Sequence, residues 1–207
     1  MDKNQISSHF ENIYNRRAWG RHGNTLSGRG SSNAFTNNDS KFISKIISDK
    51  KIKSIVDVCG DFAWQHKFLE KYKGRYLGVD VCKFCLNIIP NSIKSTNITF
   101  QQLDICHDNI PRSDLFICRD VLIHLDHDDI LKFFHLLKKS KTKWLIVTSF
   151  NLPNQHLKSK HENACKHNLS LEPYNLNFEY QFYGNKETGG YEKKYLGLTS
   201  VSDIQHD

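Results

Sequence analysis

The sequence predicts an α/β fold: a mostly parallel sheet with helices on both faces. Three observations predict it. Ser54–Val81 reads as strand, tight turn, helix and strand. Three further strand-like runs follow, Ile98–Leu103, Asp114–Arg119 and Lys143–Phe150, and an Asp stands just past the first two, at 104 and 120. Two β-like segments separated by glycines, Phe178–Tyr183 and Lys194–Ser200, complete the pattern.

Taken in order, Ile6–Arg17 reads as a helix. Ser7 or Ser8 can cap it, and Phe10, Ile13, Tyr14 and Arg17 share one face. Trp19–Asn38 is rich in Gly, Ser, Asn and Arg, which disfavours a regular element. Loops of this length usually have a function. Gly28-Arg29-Gly30-Ser31 can wrap a ligand with backbone N–H groups and one guanidinium; a purely structural surface loop is the alternative. Ser40–Asp49 is expected to be helical through Phe42, Ile43, Ile46 and Ile47.

Ser54–Cys59 has the mostly apolar, β-branched composition of a buried parallel strand. Gly60 breaks it. Phe62–Lys73 suits an amphipathic helix through Phe62, Ala63, Leu69 and Tyr72, and Gly74 ends it. Tyr76–Val79 is the second strand. Asp80 stands at its end, 23 residues after Asp57. In dinucleotide-type folds an acid at about this distance, roughly 20 residues on, grips a ribose hydroxyl.

Cys82-Lys83-Phe84-Cys85 is a C-x-x-C without a second ligand pair nearby, which argues against zinc, and it lacks a thioredoxin-like context. Phe84–Ile93 reads as a helix broken near Pro90. Arg119, Asp120 and His124 follow the Asp114–Arg119 strand, at the strand end where doubly wound sheets bind ligands. Asp126 or Asp128 can cap the next helix, whose apolar face is Ile130, Leu131, Phe134 and Leu137. Capping and the helix dipole thus explain the DHDD segment without a metal site. Asn151–Glu172 is polar and irregular.

The chain has 207 residues, enough for one domain with a full core, and 38% hydrophobic residues. Its mean hydropathy is −0.57, and no apolar run is long enough to span a membrane. No secretion signal opens it. Six scattered cysteines make no disulfide scaffold, so a reducing, cytoplasmic setting is expected. The net charge of +7 is spread over separate lysine groups and reads as a solvated surface, with a nucleic-acid patch as the second choice.

VDVCGDF, YLGVDV, LDI (103–105) and DLFICRDVLIHL (114–125) resemble the ordered motifs of class I S-adenosylmethionine-dependent methyltransferases. Phe10, Ile13, Tyr14, Trp19 and Gly20, followed by Ser27-Gly28-Arg29-Gly30-Ser31, resemble the opening of a subgroup associated with glycan synthesis in bacteria and large viruses. The resemblance spans roughly residues 10–198. It implies a Rossmann-like, seven-stranded methyltransferase sheet closed by an antiparallel pair from Phe178–Tyr183 and Lys194–Ser200, and a single domain over 1–207. Residues 1–50 would carry N-terminal helices and a glycine-rich cofactor or acceptor loop, and 51–207 the core.

The implied cofactor is S-adenosyl-L-methionine, leaving as S-adenosyl-L-homocysteine. Asp57, Cys59, Gly60, Asp61, Phe62 and Trp64 would form the first cofactor turn, and Asp80 and Val81 the ribose side. Asp104 would contact the adenine amino group, with Ile105 against the ring. Arg119, Trp19, Ser27, Gly28, Gly30 and Ser31 would complete the cofactor site. Asn163, Asn168-Leu169 and Pro173-Tyr174 match an acceptor-side stretch of the family. His124, Asp120 and Arg119 would serve catalysis, with His124 or Asp120 as base toward a sugar hydroxyl of a glycan or sugar nucleotide.

One departure stands out. The family has Asp-x-Gly-x-Gly, whereas Asp57-Val58-Cys59-Gly60 is one residue and one glycine short. The shortfall favours, as an alternative, a non-catalytic binding protein that kept the fold. The positive charge favours an RNA or DNA methyltransferase. A nicotinamide oxidoreductase lacks its G-x-G-x-x-G.

Overall fold

The computed structural model describes residues 3–20, 25–154, 165–184 and 193–205. Its strands are β1 Ser54–Val58, β2 Arg75–Asp80, β3 Ile98–Gln102, β4 Leu115–Cys118, β5 Trp144–Phe150, β6 Tyr180–Phe182 and β7 Lys194–Ser200. They form one sheet in the order β3-β2-β1-β4-β5-β7-β6. β1 pairs in parallel with β2, β2 with β3, and β4 with β5. β7 is antiparallel to both β5 and β6. The seven-stranded sheet with an antiparallel end is therefore as expected. The chain forms two compact units, Met1–Asp104 and Ile105–Asp207.

In the first unit, helix α1 spans Lys3–Arg16 and buries Ile6, Ile13 and Tyr14. It begins before the expected Ser7 or Ser8 cap. Ser7 lies inside it, and its hydroxyl donates to the Val81 carbonyl at 3.0 Å. Arg17 is not on the apolar face: it is exposed, and at φ 53° it ends the helix in the left-handed region.

Helix α2 runs Asn33–Asp49, well upstream of the expected Ser40 start. Its polar first half can be buried because the hydroxyls of Thr36 and Ser40 are satisfied within the helix. Thr36 Oγ1 donates to the Ser32 carbonyl (3.0 Å) and Ser40 Oγ to the Thr36 carbonyl (2.8 Å). Both residues are buried. Helix α3 is only His66–Leu69, not Phe62–Lys73. Gly60 and Phe62 both have positive φ, 54° and 56°, so the chain after β1 is a broad turn. Helix α4 is Lys83–Asn87, and Asn91–Ile93 is a separate 3-10 turn past Pro90.

In the second unit, β4 leads to a 3-10 turn at Leu122–His124 and then to helix α5, His127–Lys139. Asp126 caps α5: its carboxylate accepts from the Asp129 N–H at 3.0 Å. The buried stripe is Ile130, Phe133, Phe134 and Leu137, so Phe133 takes the place expected for Leu131. β5 is buried from Leu145 to Phe150, as its apolar run requires. β6 is shorter than Phe178–Tyr183 because Phe178 turns inward, its ring edge-on to Tyr195. Asn163 and Gly189-Gly190 lie outside the described residues. No described helix is long and apolar enough to cross a membrane.

Candidate functional site

The expected site residues fall into two clusters, one in each unit. In the first, β1 ends at Val58, and the Cys59 N–H continues its ladder to the Val79 carbonyl at 3.0 Å. Asp57 is fully buried on this strand and accepts from the Tyr76 hydroxyl at 2.7 Å. Gly60 then turns in the left-handed region that only glycine enters freely. Phe62 enters the same region, a strained conformation for a bulky residue. Its ring packs edge-on to Tyr76 and Phe100, and that burial offsets the strain. Trp64 is buried beside Phe68. Gln65, not singled out in the sequence, ties the turn together. Its Nε2 donates to the Cys59 carbonyl (3.0 Å) and its Oε1 accepts the Trp64 N–H (3.2 Å).

Asp80 ends β2 and is half-buried. Burial pushes its carboxyl up to about 6, against the pull of backbone N–H groups from Cys82 (2.8 Å) and Gly60. The Gly60 bond links the glycine of the first turn directly to the acid of the second strand. An ionised carboxylate has about four acceptor positions, so two backbone donors leave Asp80 capacity for ribose hydroxyls. That capacity fits the expected cofactor role. The Val81 carbonyl accepts from Ser7 Oγ (3.0 Å) and Gln102 Nε2 (3.0 Å), which holds α1 against the end of β2. Asp104 follows β3 and is buried, 3% exposed.

The described residues of the glycine-rich loop are held by contacts. Thr25–Ser27 is held by Asp61, whose carboxylate accepts from Thr25 Oγ1, the Leu26 N–H and Ser27 Oγ. Arg29–Ser31 forms a 3-10 turn, and the exposed Arg29 guanidinium lies over the Phe35 ring at 5.1 Å. Trp19 packs edge-on to Tyr14 and against Phe10. Tyr14 in turn joins a small core with Cys82 and Cys85, both fully buried free thiols. A hydrogen bond from Cys85 draws the Cys82 thiol down, while burial pushes Cys85 far up. Among the described residues no His, Cys, Asp or Glu cluster could hold a metal.

In the second unit, Ile105 is buried. Arg119 and Asp120 follow β4, and Asp120 is left-handed at φ 58°. Thr148 on β5 fixes that geometry. The Asp120 N–H donates to Thr148 Oγ1 (2.8 Å), and the Thr148 hydroxyl donates to Asp120 Oδ1 (2.9 Å). Asp120 Oδ2 meets Lys194 Nζ at 2.6 Å and Arg119 at 3.0 Å. Burial alone would raise this carboxyl. Arg119, Lys194 and the Thr148 hydroxyl outweigh it and hold Asp120 well below the usual carboxylate range. Asp120 is thus an anchored anion and a poor proton acceptor. Neither Lys194 nor Thr148 was legible as a partner from sequence. His124 closes the 3-10 turn and is half-buried.

The stretch expected on the acceptor side is built on Asn168. Its N–H donates to Asn154 Oδ1 (2.7 Å), its Nδ2 to the Leu152 carbonyl (2.9 Å), and its Oδ1 accepts the Ser170 N–H (3.1 Å). Leu169 and Tyr174 are fully buried. His167, also buried, lies 3.2 Å from the Leu125 carbonyl through Nε2. A carbonyl only accepts, so Nε2 carries the proton and Nδ1 accepts from the Tyr174 hydroxyl at 3.3 Å. Burial lowers its pKa, so His167 is a neutral structural histidine.

The fold is that of class I methyltransferases, a Rossmann-like architecture. Among solved structures, the N-methyltransferase NodS from Bradyrhizobium japonicum WM9, in complex with S-adenosyl-L-homocysteine, superposes with a TM-score of 0.68 at 14% identity, over 91% of this chain and 98% of that one. Magnesium protoporphyrin IX methyltransferase (ChlM) from Synechocystis PCC 6803, with bound SAH, gives 0.65 at 12% identity over 96% and 99%. An S-adenosylmethionine-dependent methyltransferase from Clostridium acetobutylicum ATCC 824 gives 0.62 at 17% over 93% and 98%. No protein-family model matches the chain. No curated protein matches it in sequence.

Proposed function

We propose that the chain is an S-adenosylmethionine-dependent methyltransferase acting on a small acceptor, with a sugar hydroxyl of a glycan or sugar nucleotide as the target. The observation that carries the reading is the strand order with its antiparallel end, matched along nearly the full chain by methyltransferases crystallised with SAH. The same matches, which cover nearly all of each neighbour, support reading 1–207 as one methyltransferase domain. The sugar acceptor rests on the resemblance of the opening segment to a glycan-associated subgroup and on His124 and Asp120 past the fourth strand. Fold alone does not choose an acceptor.

When bound, the cofactor supplies a methyl group on a sulfonium, already a strong electrophile, so the protein mainly binds and aligns. Asp80 would accept the ribose hydroxyls, and Asp104 and Ile105 would hold the adenine. His124 would take the acceptor proton. Asp120, held ionised by Arg119 and Lys194, would orient polar groups rather than accept a proton. The net charge of +7 favours a second reading, an RNA or DNA acceptor, whose affinity would fall steeply with salt.

Calorimetric titration with S-adenosylmethionine and S-adenosylhomocysteine tests the first step. Micromolar binding is expected, and absence of binding by the folded chain would point to a non-catalytic protein. His124→Ala should then lower turnover on sugar nucleotides by about 100- to 10,000-fold with cofactor affinity nearly unchanged. Equal losses in both would make His124 structural.

A further inference from the structure

The shortened first turn has no second glycine, and Asp61 follows Gly60. Thr25 Oγ1 donates to this carboxylate at 3.1 Å, the Leu26 N–H at 2.6 Å and Ser27 Oγ at 2.9 Å. The Ser27 N–H donates back to Thr25 Oγ1 at 2.9 Å, and the Tyr14 hydroxyl lies 2.7 Å from Ser27 Oγ. Hydrogen bonds to an ionised group are about twice as strong as neutral ones, and here three converge on one side chain. The strap they hold lies directly on the bare face of Gly60. A Cβ there would come within 2.7 Å of Ser27 Oγ and 3.1 Å of the Tyr14 hydroxyl.

We propose that Asp61 is a positioning residue, a latch that fixes the strap Thr25–Ser31 over the first turn and so sets the cofactor site without touching the cofactor. The proposal rests on the methyltransferase reading above. An acid has taken over the neighbourhood of a missing glycine. The backbone approach that glycine would give the cofactor is replaced by a loop drawn in through a carboxylate. Gly28, at φ 83°, lets the chain reverse immediately after the latched residues, and a Cβ there would lie 3.6 Å from the Trp19 Cβ. Latching therefore carries Gly28, Gly30 and Ser31 to one fixed place.

The test uses the full chain, with hydrogen exchange of the Leu26 amide and calorimetric titration with SAH as paired readouts. The Leu26 N–H donates to Asp61 rather than to the backbone, so its exchange reports the latch alone. Asp61→Ala should speed Leu26 exchange at least tenfold and raise the SAH dissociation constant at least tenfold, with exchange of the β5 amides unchanged. Asp61→Asn, which keeps one acceptor oxygen, should fall between. If Asp61→Ala does not fold, the double variant Thr25→Val, Ser27→Ala removes donors from the other side and should act in the same direction. Unchanged Leu26 exchange overturns the latch. So does faster exchange with unchanged SAH binding. A wild-type chain that binds no SAH overturns the methyltransferase reading and, with it, the proposal; equal SAH binding by wild type and Asp61→Ala overturns the latch alone.

Discussion

Asp80→Asn should stabilise the fold while it weakens cofactor binding. Burial raises the Asp80 carboxyl from 3.8 to about 6, so the folded chain holds this proton more tightly than the unfolded chain does. The folded state therefore binds more protons than the unfolded state between about pH 4 and 6, and stability falls as pH rises through that window. The penalty is absent below about pH 4 and complete above about pH 6. At about 1.36 kcal/mol per pH unit the full figure is about 3 kcal/mol. Asp80 is half-buried, and solvent screening together with the cost of burying an amide reduces this to about 1–2 kcal/mol. Asn retains an oxygen for the Cys82 N–H, so the turn at the end of β2 keeps its bond. Urea unfolding at pH 4 and pH 7 should show Asp80→Asn near wild type at the first and more stable at the second. SAH affinity should drop about tenfold or more at pH 7, because a ribose hydroxyl loses a charged acceptor. In the wild type, affinity should also weaken as pH falls through 6. A variant less stable at pH 7, or one with wild-type affinity, would refute this account of Asp80.

Lys194→Met should destabilise the fold by about 2 kcal/mol at pH 7, less than a fully broken buried pair because Arg119 still faces Asp120. The depressed Asp120 carboxyl contributes stability above the unfolded value near 4 and loses it as pH falls through its folded value, so the difference in urea midpoints should shrink below about pH 4. A pH-independent difference, or one under about 0.5 kcal/mol, would contradict the pairing. Gly60→Ala adds a Cβ at φ 54° and 2.7 Å from Ser27 Oγ, and should cost about 1–3 kcal/mol in urea unfolding. A neutral result would mean that the strap does not lie on Gly60.

The strands were legible because β1, β2 and β5 carry short apolar runs, the composition of buried parallel strands. A cap at the start of α5 was legible from the acids before its apolar period, but only the bond from the Asp129 N–H selects Asp126 over Asp128. The start of α2 was not, because Asn, Thr and Ser look loop-like until Thr36 and Ser40 are seen bonding back to the helix. The helix after β1 was overextended because periodicity carries no sign of a left-handed Phe62. Asp61 could be named from its place in the turn, but its donors lie 34 to 36 residues away. Lys194 lies 74 residues from Asp120. A single sequence gives no signal for such pairings, which depend on how the chain closes in three dimensions.

The two strand-end carboxylates have opposite electrostatics, and the difference bears on the reaction. Asp80 is raised to about 6 by burial, while two cations and a hydroxyl hold Asp120 far below its ordinary value. Environments that drive two acids apart usually assign them different tasks. Held so far down, Asp120 is a poor base, so on the proposed reading a hydroxyl acceptor relies on His124. An acceptor already unprotonated, such as an amine lone pair or a carboxylate, needs neither. The pH–rate profile therefore distinguishes acceptor classes. A hydroxyl acceptor served by His124 gives a rise in turnover with pH that disappears in His124→Ala. With cofactor saturating, so that the Asp80 titration does not enter, a rise that persists in His124→Ala would argue against His124 as the base and for an acceptor that supplies its own lone pair, such as an amine.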